Sequence, residues 1–438
     1  MKTNRYVYIV PFDNYRTIVY NGITKDFCII NNQEISSYVA IMQDPNSYVN
    51  SHPLYIKEMK EKGFILKDEI DPKMYLKCHR RTFIEAPIYK AIILPTFECN
   101  YNCWYCIQKH TPLKLDERKL RLVVKHNKKY LLDNNIKEYV LSWFGGEPLT
   151  QPHVVVDISA EMKRFCHEHD IKYTGAITSN GALLREDVIL KLKECGISYY
   201  QIAVDGDEEA HNRVKHDALS ESSFALVLGN ICNLVRINES AYVTLRVNYT
   251  IEMLRNKRIV RDVIKYIPEN LRKNIIVDLQ KVWQVNEELV PFDDLIWIQN
   301  EFSRNGFMLE TSHIFSMCYV EKKHYNMFYY NGGVEKCDKR TTDTLRGYIN
   351  EDGDVVWKEK PVFPSYDLFA PDCVCSDCDY YPLCFCGCPI NREDEIAKNP
   401  NKQIVCGFRG DYSLLETRIR DYCWRVYHNA KYNLLPAE

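Results

Sequence analysis

Three cysteines within eight residues limit this chain more than any other stretch: Cys99, Cys103 and Cys106, spaced C-x3-C-x2-C. They follow the apolar run Ala91-Ile92-Ile93-Leu94. A short apolar run before a turn signal reads as a buried strand, so the cysteines lie on the loop at its carboxyl end. Thiolates on so short a loop converge on one metal centre. A [4Fe–4S] cluster usually takes four cysteines, and here there are three. The missing ligand leaves one iron open to a small molecule. Half a zinc site is the alternative on spacing alone, although structural zinc favours C-x2-C or C-x4-C knuckles with a matching pair.

The rest of the composition narrows the class. The chain has 438 residues, enough for two or three domains. With 57 basic and 59 acidic residues the net charge is −2, so no global charge invites nucleic acid or a membrane surface. The amino terminus lacks the apolar core of a signal peptide, and no run is long enough to span a bilayer. A cytoplasmic protein is expected. Its 18 cysteines are then thiols or metal ligands rather than disulfides. Cys28, Cys78, Cys166, Cys195, Cys232 and Cys423 stand alone. The others gather in the 99–106 loop and between 318 and 406, and clustering at ligand spacing argues for metal.

Residues 1–85 read as a separate small domain, with strands near 6–10, 17–20 and 27–30, then helices over 33–42 and 53–62, the second ending at Gly63 as a C-cap. From 88 to 306 strand and helix alternate. Strands are expected at 91–94, 139–143, 173–178, 199–204, 243–249 and 275–279. Helices are expected at 117–132, 154–168, 186–193 and 224–235. Six such units imply an α/β fold with a parallel sheet, open or closed. Ligands bind at the carboxyl ends of such strands, so the later strand ends converge on the cysteine loop.

Those ends carry the remaining motifs. The second strand is followed by Phe144-Gly145-Gly146-Glu147-Pro148. Glycines there admit close backbone approach. The third strand ends in Thr178-Ser179-Asn180-Gly181, and the fourth in Val204-Asp205-Gly206. Arg246 and Asn248 share one face of the fifth strand. The cysteine loop, with an aromatic before its last cysteine, and the Gly-Gly-Glu-Pro turn resemble signatures of the radical SAM superfamily. The resemblance implies a partial (β/α)6 barrel over 88–306. It implies that Cys99, Cys103 and Cys106 hold a [4Fe–4S] cluster whose open iron chelates S-adenosylmethionine, and that reductive cleavage gives a 5′-deoxyadenosyl radical that takes a hydrogen from substrate. Tyr105 falls at the aromatic position near adenine. Gly145, Gly146 and Glu147 fall where the SAM amino group is received. Ser179 and Asn180 fall where its ribose or carboxylate is held. Asp205 and Arg246 are further candidate cofactor contacts. His211 and Arg213 resemble a D-G-x4-H-x-x-R pattern in which the arginine comes one residue early; each is a loop-fixing or a substrate-contacting residue.

Between 310 and 408 the chain is rich in cysteine and turns. Cys375, Cys378, Cys384 and Cys388 run C-x2-C-x5-C-x3-C; Cys318, Gly332 and Cys337 precede them and Cys406 follows. This resembles the seven-cysteine SPASM pattern. The resemblance implies two auxiliary [4Fe–4S] clusters. Cys375, Cys378, Cys384 and Cys406 would hold the distal one. Cys318, Cys337 and Cys388 would hold the nearer one, whose fourth position falls to Cys373, to Cys386 or to an open site. A soft substrate thiolate would suit an open iron. Asp338, beside Cys337, is a candidate proton acceptor, or simply a polar loop residue. Residues 348–356 read as a hairpin with an Asp-Gly turn. The tail, 409–438, reads as a structural helix.

SPASM relatives modify peptides and proteins. The amino-terminal strands and helices resemble a winged-helix-like peptide-recognition domain that adds a leader peptide to a sheet edge; a structural cap is the alternative. The expected function is a maturase that installs a thioether or carbon–carbon crosslink in a ribosomally made precursor peptide. Its partners would be that precursor, bound through its leader, and a reductant such as ferredoxin or flavodoxin. A sulfatase-type maturase of a folded protein and a non-catalytic iron–sulfur scaffold are the alternatives.

Overall fold

The computed structural model describes residues 1–434 except 109, 111–115, 217–220, 283, 286–289, 339–344, 362, 365, 366, 371, 372, 399–405 and 407–411. The chain divides into two compact units. The larger comprises Pro87–Glu310, His324–Pro361 and His428–Glu438. The smaller comprises Met1–Ala86, Thr311–Lys323 and Val362–Tyr427.

The larger unit is built on a sheet whose strands, in chain order, are β1 (Ile88–Leu94), β2 (Glu138–Trp143), β3 (Lys172–Ser179), β4 (Ile197–Asp205), β5 (Tyr242–Tyr249), β6 (Ile275–Lys281), β7 (Met308–Leu309), β8 (Tyr325–Tyr329), β9 (Gly333–Glu335), β10 (Gly347–Ile349) and β11 (Val355–Trp357). The order across the sheet is β7-β6-β5-β4-β3-β2-β1-β8-β9-β10-β11. Pairing is parallel from β7 to β8 and antiparallel beyond. The six expected strands are present, each within three residues of its expected ends. They form an open parallel sheet that resembles a partial barrel.

Helices cover the sheet because their apolar stripes recur at helical spacing. In Glu117–Asp133 the buried positions include Leu120, Val123, Val124 and Leu131, and Asp116 caps the first turn by accepting from the Lys119 N–H at 3.1 Å. Tyr139, Leu141 and Trp143 of β2 are buried in this core, and the Trp143 indole donates to Ser159 Oγ at 2.9 Å. Truncating Trp143 to alanine would cost about 3–5 kcal/mol. Register fixes where the strands end. Ile93 pairs with Trp143, Trp143 with Ile177, Ser179 with Ile202 and Asp205 with Asn248. The loops after β1 to β5 therefore open on the same edge.

The smaller unit holds a three-stranded antiparallel sheet (Val7–Pro11, Arg16–Asn21, Phe27–Asn31) and helices Ile35–Gln43, Pro53–Glu61, Pro72–Glu85 and Pro389–Lys398. Gly63 takes φ +66°, as its capping role requires. Residues 1–86 do not pack as a body apart. Phe12 stacks on Trp424 with ring centroids 4.3 Å apart, and Tyr8, Ile18 and Tyr20 share a core with Leu383, Leu415 and Ile419. The terminal helix runs Ser413–Lys431. Among the described residues no helix is long and apolar enough to cross a membrane.

Candidate functional site

The cysteine loop leaves β1 and is held by its own backbone and by the neighbouring strand end. The Cys106 N–H donates to the Cys103 carbonyl at 3.0 Å, and the Tyr101 N–H points at Cys99 Sγ at 3.4 Å. Cys99 and Cys103 are partly buried; Cys106 is exposed, its sulfur 3.4 Å from His110 Nε2. Burial pushes the Cys103 thiol up to about 11, opposed by the positive charge of Lys215. Metal binding at this loop must therefore displace protons.

The glycine turn after β2 is seated directly on this loop. The Gly146 N–H donates to the Thr96 carbonyl at 3.1 Å and the Glu147 N–H to the Glu98 carbonyl at 2.7 Å. A Cβ on Gly146 would stand 2.1 Å from the Glu98 oxygen; one on Gly145, at φ +126°, would stand 2.6 Å from the Thr96 oxygen. Sequence reasoning assigned the two glycines to ligand approach. In the fold they first permit approach of one protein loop to another.

Glu147 is fully buried. Its carboxylate accepts from the Asn180 N–H (2.7 Å), the Ser179 hydroxyl (2.9 Å) and the Leu149 N–H (3.0 Å). Burial raises its pKa while these donors oppose the rise. Glu147 thus fastens the end of β2 to the end of β3. The Asn180 side chain goes on to Asn100 Oδ1 at 2.8 Å and approaches Cys99 Sγ at 3.8 Å. Gly145, Gly146, Glu147, Ser179 and Asn180 therefore gather around the cysteine loop.

A second polar chain meets the loop at Tyr105. Its hydroxyl donates to Asp205 Oδ1 at 2.5 Å. The Asn248 amide donates to the same oxygen at 3.1 Å and to the Tyr105 oxygen at 3.2 Å. Arg246 Nε donates to Asn248 Oδ1 at 3.0 Å. Burial, then the Asp205 carboxylate, keep the Tyr105 phenol protonated. Sequence reasoning missed Lys215, which is buried with its ammonium 3.4 Å from Asp205 Oδ2. His211 is buried one turn earlier and accepts at Nδ1 from the Asp205 N–H at 3.2 Å, so its ring is neutral; burial lowers its pKa to about 3. Arg213 faces outward and pairs with Glu209 at 3.0 Å on an exposed surface. The signal for Lys215 was there to read: His211 and Lys215, four apart, share a helix face that Arg213 does not.

In the smaller unit a cavity of about 240 Å³ is lined by Cys375, Cys378, Cys384, Cys386, Cys388 and Cys406. Arg392 also lines it. Behind it, buried Glu321 bridges Arg80 (3.1 Å) and Arg392, two guanidiniums on one carboxylate. Cys318 opens the short turn Tyr319–Glu321 in this unit. Cys337 and Asp338 follow β9 in the larger unit, where the Cys337 thiol meets Asp338 Oδ1 at 3.6 Å.

The donor sets fit iron–sulfur clusters. They are all thiolate, and peptide and amide N–H groups are aimed at Cys99, as cluster sulfurs prefer. Among the described residues no three Cys, His, Asp or Glu side chains stand close enough to hold a single ion. A cubane asks for less, since each thiolate binds a different iron.

Residues 93–237 match the model of the Radical SAM superfamily. The chain is similar to the radical SAM cyclopropyl synthase TigE of Paramaledivibacter caminithermalis, 24% identical over 252 residues, which are 48% of this chain and 52% of that protein. It thus spans about half the length of that relative. It is also similar to a cysteine-type anaerobic sulfatase-maturating enzyme of Clostridium novyi, 22% identical over 353 residues, 70% of this chain and 89% of that one. Among solved structures, native anSMEcpe with bound AdoMet and Cp18Cys peptide aligns with a TM-score of 0.52 at 16% identity, over 80% of this chain and 100% of that one; this is a likeness of fold. The three-thiolate loop at the carboxyl edge of a parallel sheet, the glycine turn seated on it and the matched span identify residues 93–237 as a domain of the radical SAM superfamily.

Proposed function

We propose that the protein is a radical SAM peptide maturase that installs a thioether or carbon–carbon crosslink in a ribosomally made precursor peptide. The observation that carries this reading is the pairing, in one chain, of the Cys99, Cys103 and Cys106 loop with the cysteine-lined cavity of the smaller unit. Crosslinking removes two hydrogens from the peptide. Abstraction of one leaves a carbon radical, and bond formation must then release a proton and one further electron. When bound, a SAM-ligated cluster and two auxiliary clusters supply the hydrogen-abstracting radical and the sink for that electron.

The chain's own residues bind and orient. Cys99, Cys103 and Cys106 hold the first cluster. Glu147 locks the Gly145–Gly146 turn and the Ser179–Asn180 loop around it, and that edge receives SAM. Tyr105, Asp205, Asn248 and Arg246 form a fixed wall that keeps the adenine side of the site from relaxing, and preorganisation of this kind lowers the barrier without further motion. Cys375, Cys378, Cys384 and Cys406 hold the distal auxiliary cluster; Cys318, Cys337 and Cys388 belong to the nearer one. Asp338 accepts the substrate proton at its carboxylate. The leader docks as an added strand on the edge of the 7–31 sheet. A ferredoxin or flavodoxin supplies electrons in the cytoplasm, where thiols stay reduced.

The test uses anaerobically reconstituted protein, SAM, a reductant and the precursor peptide. The peptide should lose two hydrogens, with fragment ions missing across one interval. Hydrogen exchange should show added protection along one edge strand of the 7–31 sheet when leader is present. An unchanged peptide with 5′-deoxyadenosine formed would favour the second reading, a sulfatase-type maturase, which the 89% coverage of the Clostridium novyi relative supports.

A further inference from the structure

A buried lysine stands behind the cysteine loop. Lys215, Asp205, Tyr105 and Cys103 all belong to the larger unit. Lys215 is 3% exposed and Asp205 1%. Lysine and aspartate are almost never buried to this degree unless paired. The Lys215 ammonium donates to the Ala203 carbonyl at 2.6 Å and lies 3.4 Å from Asp205 Oδ2. The other carboxylate oxygen, Oδ1, accepts from the Tyr105 hydroxyl at 2.5 Å and from the Asn248 amide at 3.1 Å. That hydroxyl also meets the Cys103 thiol. A continuous line of contacts thus joins a buried cation to a cysteine of the loop.

For the fold alone the ion pair is replaceable. Burying two charges costs about as much as their attraction returns, and an apolar pair of similar volume is often as stable or more so. The two charges differ in what they do to the loop. Burial opposes a negative sulfur at Cys103 most strongly; Lys215 favours one, and by more than Asp205 disfavours it. Burial also raises the Glu147 carboxyl, and after the three donors that hold it the Lys215 charge opposes the rise. Reducing a cluster on this loop adds one negative charge in a low-dielectric setting, where a nearby carboxylate opposes the change and a nearby ammonium favours it. Without Lys215, the carboxylate that fixes Tyr105 would stand uncompensated beside that charge.

We propose that Lys215 is a positioning residue for reduction: its ammonium offsets the Asp205 carboxylate that anchors Tyr105, and so makes the cluster held by Cys99, Cys103 and Cys106 easier to reduce. The inference rests on the assignment of that cluster to these three cysteines and deepens it. The step concerned takes one electron from the low-potential carrier and makes or breaks no bond.

The test uses the full chain, reconstituted anaerobically. The midpoint potential is read from the component of the electron paramagnetic resonance spectrum that changes when SAM is added, so that auxiliary iron is not counted. Lys215→Met should move the reduction equilibrium about tenfold towards the oxidised cluster, a midpoint about 59 mV lower for a one-electron couple. Lys215→Arg should match the parent. Asp205→Asn should move the midpoint the opposite way, and the double variant Lys215→Met/Asp205→Asn should recover most of the shift. An ion pair that serves the fold alone would lower the melting temperature and leave the potential where it was. Parental potential in Lys215→Met, or shifts of the same sign in Lys215→Met and Asp205→Asn, would therefore overturn the inference and leave the cluster assignment standing. Should Lys215→Met fail to hold iron, Asp205→Asn decides, and a parental potential there overturns it equally. A parent without a SAM-responsive iron signal would overturn the cluster assignment and this inference with it.

Discussion

Replacing Gly146 by alanine should disable the site while sparing the fold. The added Cβ would lie 2.1 Å from the Glu98 oxygen, 2.6 Å from the Phe97 oxygen and 2.7 Å from the Glu98 carbonyl carbon, where ordinary contact begins at 3.4 Å. These are backbone atoms, so no side chain can rotate aside. The segment just before Cys99 must retreat by roughly 1 Å, a displacement that can cost about 100-fold in rate when it separates positioned reactants. The accompanying loss of stability should be about 1–3 kcal/mol, the usual penalty for overpacking. The assay is anaerobic formation of 5′-deoxyadenosine from SAM and a chemical reductant, read beside iron content and a thermal melt. Gly229→Ala is the control. Gly229 lies inside the helix Ser223–Ile237 and a Cβ there meets nothing within 4 Å. That change should leave the rate alone and raise stability by about 0.5–1 kcal/mol. A Gly146→Ala protein that cleaves SAM at the parental rate would refute the argument that the glycine turn sets the position of the cysteine loop.

Other perturbations separate structural from surface charge. Glu321→Gln removes the one carboxylate that Arg80 and Arg392 share in the buried cluster of the smaller unit, and should cost about 3–5 kcal/mol in urea unfolding. Lys215→Met should cost a comparable amount by leaving the Asp205 carboxylate uncompensated, whereas Arg213→Ala, on the exposed face, should stay within about 0.5 kcal/mol of the parent. His211, neutral with a pKa of about 3 against an ordinary 6.5, contributes stability that is present above pH 6.5 and lost as the pH falls towards 3. Over that window the parent should lose stability more steeply than His211→Gln, by up to about 1.4 kcal/mol per pH unit; equal slopes in the two unfolding series would contradict the burial argument.

Much of the sheet was legible because buried parallel strands leave short apolar runs, told from the helices between them by length and by the helical period of the latter. Ala91 to Leu94 and Val243 to Tyr249 could be read directly, and the strand ends then located the site. What escaped was non-local. Residues 325–329 form a fully buried strand against β1, with no polar alternation, and the Asn331-Gly332-Gly333 turn signal that follows it was overlooked. The helix Pro72–Glu85 was overlooked although Asp71 and Pro72 signal its start, the Asp71 side chain accepting from the Lys73 N–H at 2.9 Å. Nothing in residues 1–86 says that their aromatic face will be covered by Trp424 and Tyr422, since local propensity does not encode a partner some 400 residues away. Lys215 was missed for a different reason. A lysine reads as solvated by default, and the spacing that puts Lys215 on the face of His211 was not weighed against that expectation.

The packing of residues 1–86 against the cysteine-rich segment has a practical consequence. Truncating them would strip Phe12, Ile18 and Tyr20 from the core of the smaller unit, so loss of activity on deletion would report unfolding rather than leader binding. Point changes on an exposed strand edge are the cleaner probe.

The most direct test of the central claim follows the abstracted hydrogen. Precursor peptide carrying deuterium at its carbon positions would be incubated with the reconstituted protein, SAM and reductant, and the 5′-deoxyadenosine examined by mass spectrometry. A peptide-modifying radical enzyme predicts deuterium in the 5′-deoxyadenosine, in step with the loss of two hydrogens from the peptide. Unlabelled 5′-deoxyadenosine beside an unmodified peptide would contradict it.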